Sequence, residues 1–579
     1  MASQSSTGPP RDKFRSALGW AKLASSLQFV RVDPQSSTGA PYNGLPSGSA
    51  LVPVQLTSRP EYLNYIEAYQ TAIDLLPQFI WLGTTTDQRY EDLSVAGNVA
   101  VSAAAAALRS SNFELALEWL EHARCVVWNQ SLMLRSPLDS LHVSHPILAT
   151  RLQNVSNQLH QASVESRESR ARSSGSMTPE QVAQEHRQLA KEYDSLLAEA
   201  RTLPGFEDLL RPMKAKSLVR AARIGPIVVI NCHEDRCDAL VIVPGQDTIG
   251  HIPLPNFTGE KAQRTRLEME KSFWKKRSSE RGFRRQKGPE EKDQFVAVLA
   301  DLWYNIVRPV LEYLGCVNPV STDDLPHITW CPTGAMSFLP IHAAGDYEQP
   351  GARVFNCVIS SYTPTLSVLL ASTPSPFTCN SRILAIGQAN TPGQSPLPGT
   401  TGELACVEAH ALDKVEYSQL MGYQATTRAV LDAMEQHDWV HLACHAHQNV
   451  RDPTKSGFFL HDGTLDLAAI NQRSFKNKGL AFLSACQTAT GDEKLPDEAI
   501  HLASGMLMAG YSSVIATMWS VVDEDAPFVA DKVYGQLMKE GRLGSGEAGR
   551  ALHNAVTGLR ERVGEKAFER WVPYIHIGL

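Results

Sequence analysis

The chain has 579 residues, 43% apolar and 20% charged, and a formal net charge of −7 from 54 basic and 61 acidic residues. That length exceeds what one core usually holds, so two or three domains are expected, and the acidic balance argues against a general nucleic-acid binder. Ten cysteines are scattered through apolar runs without a paired framework, which suits reduced thiols inside a cell. The opening Met1-Ala2-Ser3-Gln4-Ser5-Ser6 lacks the order of a signal peptide. No run approaches the ~18 apolar residues of a membrane span, so a cytosolic protein is expected.

Residues 1–60 combine a short helix from Arg11 to Gln28 with a Ser/Gly/Pro-rich segment over 33–49, read as a spacer that buries little. From 61 to 135 the pattern is helical. Ala100 to Ala123 reads as a helix, a Ser110-Ser111-Asn112 turn and a second helix, with alanines where the pair must approach closely. This resembles about one and a half tetratricopeptide units, which need neighbours to cover their apolar faces. Residues 136–217 predict two long helices, Ile147 to Leu159 and Thr178 to Arg201, the second opened by Thr178-Pro179-Glu180-Gln181. They are expected to form an antiparallel hairpin.

The character changes near Gly225, and residues 218–579 read as one α/β domain. Pro226–Cys232 and Ala239–Val243 predict a β-hairpin; the nearby Cys232, His233 and Cys237 lack metal-site spacing. The basic run Arg281–Lys287 reads as a solvated loop rather than a nucleic-acid patch. A helix from Phe295 to Leu314, strands near 327–331, 355–361 and 382–387, a hairpin on Asp462-Gly463, and a strand over 512–519 follow. Alternating strand, turn and helix is the pattern of an open, mostly parallel sheet. Two helices close the chain, Ala526 to Glu540 and Ser545 to Arg562.

The two most apolar strands carry the chemistry. Trp439–Cys444 ends at His445, and Leu480–Ala485 ends at Cys486. Reactive groups in parallel sheets sit at the carboxyl rim. There an imidazole can take a thiol proton and later return it to a leaving amine. His441 lies mid-strand and is expected to be packed; its spacing from His445 would suit zinc on a helix, not on a strand. No phosphate-binding Gly-rich loop occurs, and no cofactor or metal is expected.

His441-Leu442-Ala443-Cys444-His445 and Leu483-Ser484-Ala485-Cys486-Gln487-Thr488 resemble the two signatures of the CHAT family, caspase-like domains related to separases. Ile515–Asp523 and His327–His342 are similar to that family as well, so the resemblance covers roughly Leu218 to Leu579. The upstream helices are similar to the TPR-like regions that precede CHAT domains in fungal proteins. The resemblance implies a caspase-like α/β sandwich and a cysteine endopeptidase acting on a protein substrate. His445 would be the base, Cys486 the nucleophile, and the N–H groups of Ala446 and Cys486 the oxyanion hole. Asp523, Asp525 and Asp492 would be the acids of a pocket for a basic residue, and with such a pocket the 281–287 run would become a candidate self-cleavage site. The family commonly has glycine where this chain has Ala446; were φ > 0 required there, alanine would cost ~1–2 kcal/mol. That departure keeps open a second function, a scaffold whose caspase-like fold does not turn over.

Overall fold

The computed structural model describes residues 9–28, 65–136, 138–164, 178–280, 294–317, 325–372, 381–449, 455–473, 475, 478–485, 488–489, 497, 501–540 and 546–579. The Ser/Gly/Pro-rich segment, the basic run 281–287, Cys486 and Asp492 lie outside the described residues.

Strands run β1 (Ile227–Cys232), β2 (Cys237–Ile242), β3 (Ile249–Leu254), β4 (His327–Pro332), β5 (Ile359–Tyr362), β6 (Arg382–Gly387) and β7 (Glu416–Met421). They continue with β8 (Trp439–Ala443), β9 (Ala446–His447), β10 (Gly457–Phe459), β11 (Thr464–Asp466), β12 (Lys478–Ser484), β13 (Tyr511–Thr517) and β14 (Tyr574–Gly578). Among the described residues, eleven of these form one sheet in the order β3-β2-β1-β4-β5-β14-β13-β12-β8-β6-β7. Strands β8, β12 and β13 are buried at every position, as apolar runs without polar alternation require.

The sheet combines two parallel blocks with an antiparallel β1-β2-β3 edge. Strands β7, β6, β8, β12 and β13 share one direction, and β14, β5, β4 and β1 share another. The blocks meet where β13 and β14 pair antiparallel. The carboxyl ends of β6, β8, β12 and β13 therefore lie along one rim.

Alternate residues of the central strands face two layers. Trp439, Phe482 and Ile515 pack under helices Gly399–Ala411, Ala526–Glu540 and Glu547–Val563. Val440, Ala481 and Val514 pack under helices Thr427–Gln436, Leu467–Gln472 and Leu502–Ala509.

The N-terminal helices dock on the far side of the sheet. Helices Val99–Arg109 and Phe113–His122 meet through fully buried Ala103, Ala104, Ala107 and Ala116, as the spacing of small residues predicts. Their core continues into Ile227, Val229, Leu240 and Ile242 of β1 and β2. Helices Pro146–Val164 and Pro179–Ala200 share a core built on Leu152, Leu159, Leu189 and Tyr193, and Thr178 caps the second in a capping box with Gln181. Two buried charged residues are among the polar contacts that fasten this region to the sheet domain. Glu121 accepts from the amides of Leu366 (3.0 Å) and Ser367 (2.8 Å). Arg124 is buried against the carbonyls of Pro332 (2.9 Å) and Pro364 (3.2 Å).

Four strands escape the sequence reading. Edge strand β7 is rich in polar residues, β3 contains Gly250 and Pro253, β9 is two residues long, and β14 is five residues long. Yet β14 is central, and a polar chain crosses the seam beside it. His327 Nε2 and Ser361 Oγ are 2.6 Å apart, Ser361 Oγ and His576 Nδ1 2.6 Å, and His576 Nε2 and Ser513 Oγ 2.7 Å.

Burial, with Arg550 nearby, pushes His327 down to about 4; burial, with His327 nearby, pushes His576 down to about 3. The native state holds both rings neutral, whereas an unfolded chain protonates them near ~6.5. Below that pH the unfolded state binds more protons, so stability present above it is lost as pH falls toward the native values. Denaturant melts between about pH 7.5 and 4.5 should lose stability on acidification, at up to ~1.4 kcal/mol per pH unit per histidine. His576→Asn should flatten the slope; an unchanged slope would contradict this assignment.

Candidate active site at the carboxyl rim

The last register pair between β8 and β12 is Ala443 with Ser484. His445 lies two residues beyond the first and Cys486 two residues beyond the second. Parallel strands advance together at ~3.3 Å per residue, so the pairing brings both chain exits to the same rim. Cys486 itself is outside the described residues, but its flanks are fixed. The Thr517 hydroxyl donates to the Ala485 carbonyl (2.6 Å), and the Thr517 amide donates to Thr488 Oγ1 (2.9 Å). The Ala489 amide returns to the Thr517 carbonyl at 2.9 Å, and the Ala503 amide holds the Thr488 carbonyl at 2.9 Å. The end of β13 thus grips the chain on both sides of Cys486.

His445 is half-buried, and its Nε2 lies 2.7 Å from the Ser395 carbonyl. A carbonyl only accepts, so Nε2 carries the proton of the neutral ring and Nδ1 keeps the lone pair. Ser395 belongs to the loop after β6, which the Leu397 amide closes on the Ala389 carbonyl at 2.8 Å. The loop leads into helix Gly399–Ala411. At its first residue, Gly399, the amide donates to Asp523 Oδ2 (2.6 Å). A Cβ on Gly399 would come within 2.4 Å of the Asp523 carbonyl oxygen, so the close approach requires glycine.

Ala446 has no positive φ. It sits in β9 opposite Phe458. The Phe459 amide donates to the His445 carbonyl (2.8 Å). That makes the adjacent Ala446–Phe458 pair a non-hydrogen-bonded one, and the Ala446 N–H turns away from β10. The backbone strain considered for alanine therefore does not arise.

His441 is fully buried, with Nε2 3.1 Å from Glu403 Oε1 and Nδ1 3.3 Å from the Tyr534 hydroxyl. It is a packed core histidine, as its mid-strand position predicts. Cys232 and Cys237 pair across the end of the β1–β2 hairpin and are buried, while His233 lies 3.6 Å from Asp235.

The acids nominated for a basic pocket have other partners. Asp525 is 0% exposed and binds Arg570 through both oxygens, Oδ2 at 2.7 Å from Nε. Asp523 receives the Gly399 amide. Asp492 is outside the described residues. The sequence reading missed the groups that hold the rim: Ser395, Thr488, Thr517 and Asp497. Asp497 Oδ1 accepts from the Gly334 amide (2.8 Å) and lies 3.4 Å from Arg124 Nε. Thr488 and Thr517 lay in motifs that could have drawn attention; Ser395 and Asp497 did not.

Residues 296–579 match the family model of the CHAT domain. The C-terminal half of the chain is a CHAT domain. Its sheet extends beyond the match, since β1 to β3 belong to it too. No curated protein matches the chain. Among solved structures, similarity is found to the Arg-specific cysteine proteinase gingipain R (RGPB), at 13% identity and TM-score 0.34, covering 47% of this chain and 67% of that one. The complex of Porphyromonas gingivalis RgpB pro- and mature domains matches at 12% identity and TM-score 0.33, covering 47% and 69%. The Saccharomyces cerevisiae separase–securin complex matches at 12% identity and TM-score 0.40, covering 88% of this chain but 38% of that one. No helix among the described residues is long and apolar enough to cross a membrane.

The CHAT domain's Asp525–Arg570 pair yields a stability prediction. Asp525→Ala leaves a half-buried guanidinium without its carboxylate and should lower the unfolding free energy by about 1–3 kcal/mol. Thermal melts check this, and an unchanged midpoint would show that the pair contributes nothing.

Proposed function

We propose that the CHAT domain is a cysteine endopeptidase in which His445 activates Cys486 toward a peptide bond of a protein substrate. The observation that carries this reading is the β8–β12 register, which sends both chains out at one rim, with His445 Nε2 committed to Ser395. The free Nδ1 then receives the Cys486 proton as sulfur attacks the scissile carbonyl. The oxyanion that forms takes hydrogen bonds from the N–H groups of Ala446 and Cys486. Such a donor is worth about 10²–10³ in rate. The imidazolium returns its proton to the departing amine, and water, deprotonated by the same ring, hydrolyses the thioester. Ser395 acts on orientation alone, keeping the correct nitrogen turned to the thiol.

The ordinary backbone of Ala446 supports the peptidase reading over the inactive scaffold, since alanine meets no left-handed strain there. With Asp525 neutralised by Arg570, Asp523 and Asp492 remain as acids for a basic substrate residue, and a cut within 281–287 remains the self-cleavage hypothesis. The N-terminal helices would recruit or restrain a partner protein inside the cell.

Iodoacetamide labelling at neutral pH should modify Cys486 ahead of the other cysteines, and His445→Ala should abolish the preference. A peptide-library digest should show cleavage by wild type and none by Cys486→Ser. Equal cleavage by both proteins, or labelling at Cys486 that ignores His445→Ala, would refute the reading.

A further inference from the structure

Arg124 belongs to the N-terminal helices, at the turn between Phe113–His122 and Val126–Arg135, yet its side chain is only 5% exposed and reaches into the CHAT domain. Besides the carbonyls of Pro332 and Pro364, it approaches Cys331 Sγ at 3.6 Å and Asp497 Oδ1 at 3.4 Å. The next residue, Cys125, adopts a left-handed backbone (φ 50°), and its amide donates to the Asp497 carbonyl at 3.1 Å. One turn of the helical region therefore holds Asp497 by side chain and main chain together. Among the described residues, the Asp497 carboxylate also accepts from the Gly334 amide.

Asp497 lies on the connection from the end of β12 to helix Leu502–Ala509, downstream of Cys486. Thr488 and Ala489 on that connection are tied to Thr517, and His501 Nδ1 accepts from the Ser504 amide at 3.1 Å. Between these points Arg124, Ala489, Asp497, His501 and Met518 line a cavity of about 80 Å³. At Asp497 the described restraints include the Arg124 ion pair and the amides of Cys125 and Gly334, the first two supplied by one turn of the helical region.

We propose that Arg124 is a positioning residue: by gripping Asp497 it fixes the chain that follows Cys486, so that docking of the N-terminal helices is a condition for a reactive thiol. This rests on the peptidase reading above and assigns its regulation. A partner protein that shifts the helices would act on the CHAT domain through this pair.

The test compares second-order iodoacetamide rates at Cys486, together with melting midpoints, in the full chain. Asp497→Asn, nearly isosteric, and Arg124→Met should each slow labelling at least about tenfold, in line with the sensitivity of reactive geometry to small displacements. Arg124→Lys should restore part of the rate. Glu121→Gln weakens the Glu121 contact with the sheet domain and should lower the midpoint while leaving the Cys486 rate unchanged. Wild-type rates in Asp497→Asn and Arg124→Met, or an equal loss in Glu121→Gln, would overturn the proposal alone. A wild-type rate no faster than that of His445→Ala would overturn the peptidase reading and this one with it.

Discussion

The constraint on which the rest depends is the parallel pairing of β8 with β12. A slip of one residue would turn Trp439 and Phe482 from one helical layer to the other and expose the opposite set, so burial on both faces fixes the register. The fixed register is what brings the carboxyl ends of the two strands, Ala443 and Ser484, side by side at the rim. Thr517 adds the second restraint, since its hydroxyl, amide and carbonyl all bind the segment around Cys486. A backbone carbonyl, that of Ser395, adds the third by choosing which imidazole nitrogen is free.

The helical region is not an appendage on this arrangement. Its alanine-lined helices share a core with β1 and β2, and charged side chains such as Glu121, Arg124 and Arg135 meet partners inside the sheet domain. Removing one member of a buried ion pair typically costs ~3–5 kcal/mol, because the remaining charge stays desolvated. Cys125 accepts a left-handed conformation, worth ~1–2 kcal/mol of strain, at the turn that carries the contact. Such strain persists where surrounding contacts impose it. Detaching the helices would therefore disturb Asp497 and the end of the connection that starts at Cys486.

Much of this was legible in the sequence for identifiable reasons. Strands covered on both faces read as unbroken apolar runs, which revealed β8, β12 and β13. The Asp462-Gly463 turn marked the β10–β11 hairpin, and Thr178 with Gln181 marked a helix start. What escaped had no local signature. The polar edge strand β7 lacks an apolar face, and β14 is too short, with His576 inside it, to stand out beside two long helices. Ser395 acts through a carbonyl that every residue possesses. Arg124 and Asp497 are isolated charges until folding brings them together, and the engagement of Asp525 with Arg570 is equally invisible in one dimension.

The account's central claim is most directly tested by the distance between Cys486 Sγ and His445 Nδ1 in a crystal structure of the full chain. The account predicts a separation of about 3–4 Å, the looser end of hydrogen-bond reach for a resting enzyme, with Nε2 still on the Ser395 carbonyl. A sulfur facing Nε2, or lying beyond reach of the ring on another side of the sheet, would contradict it.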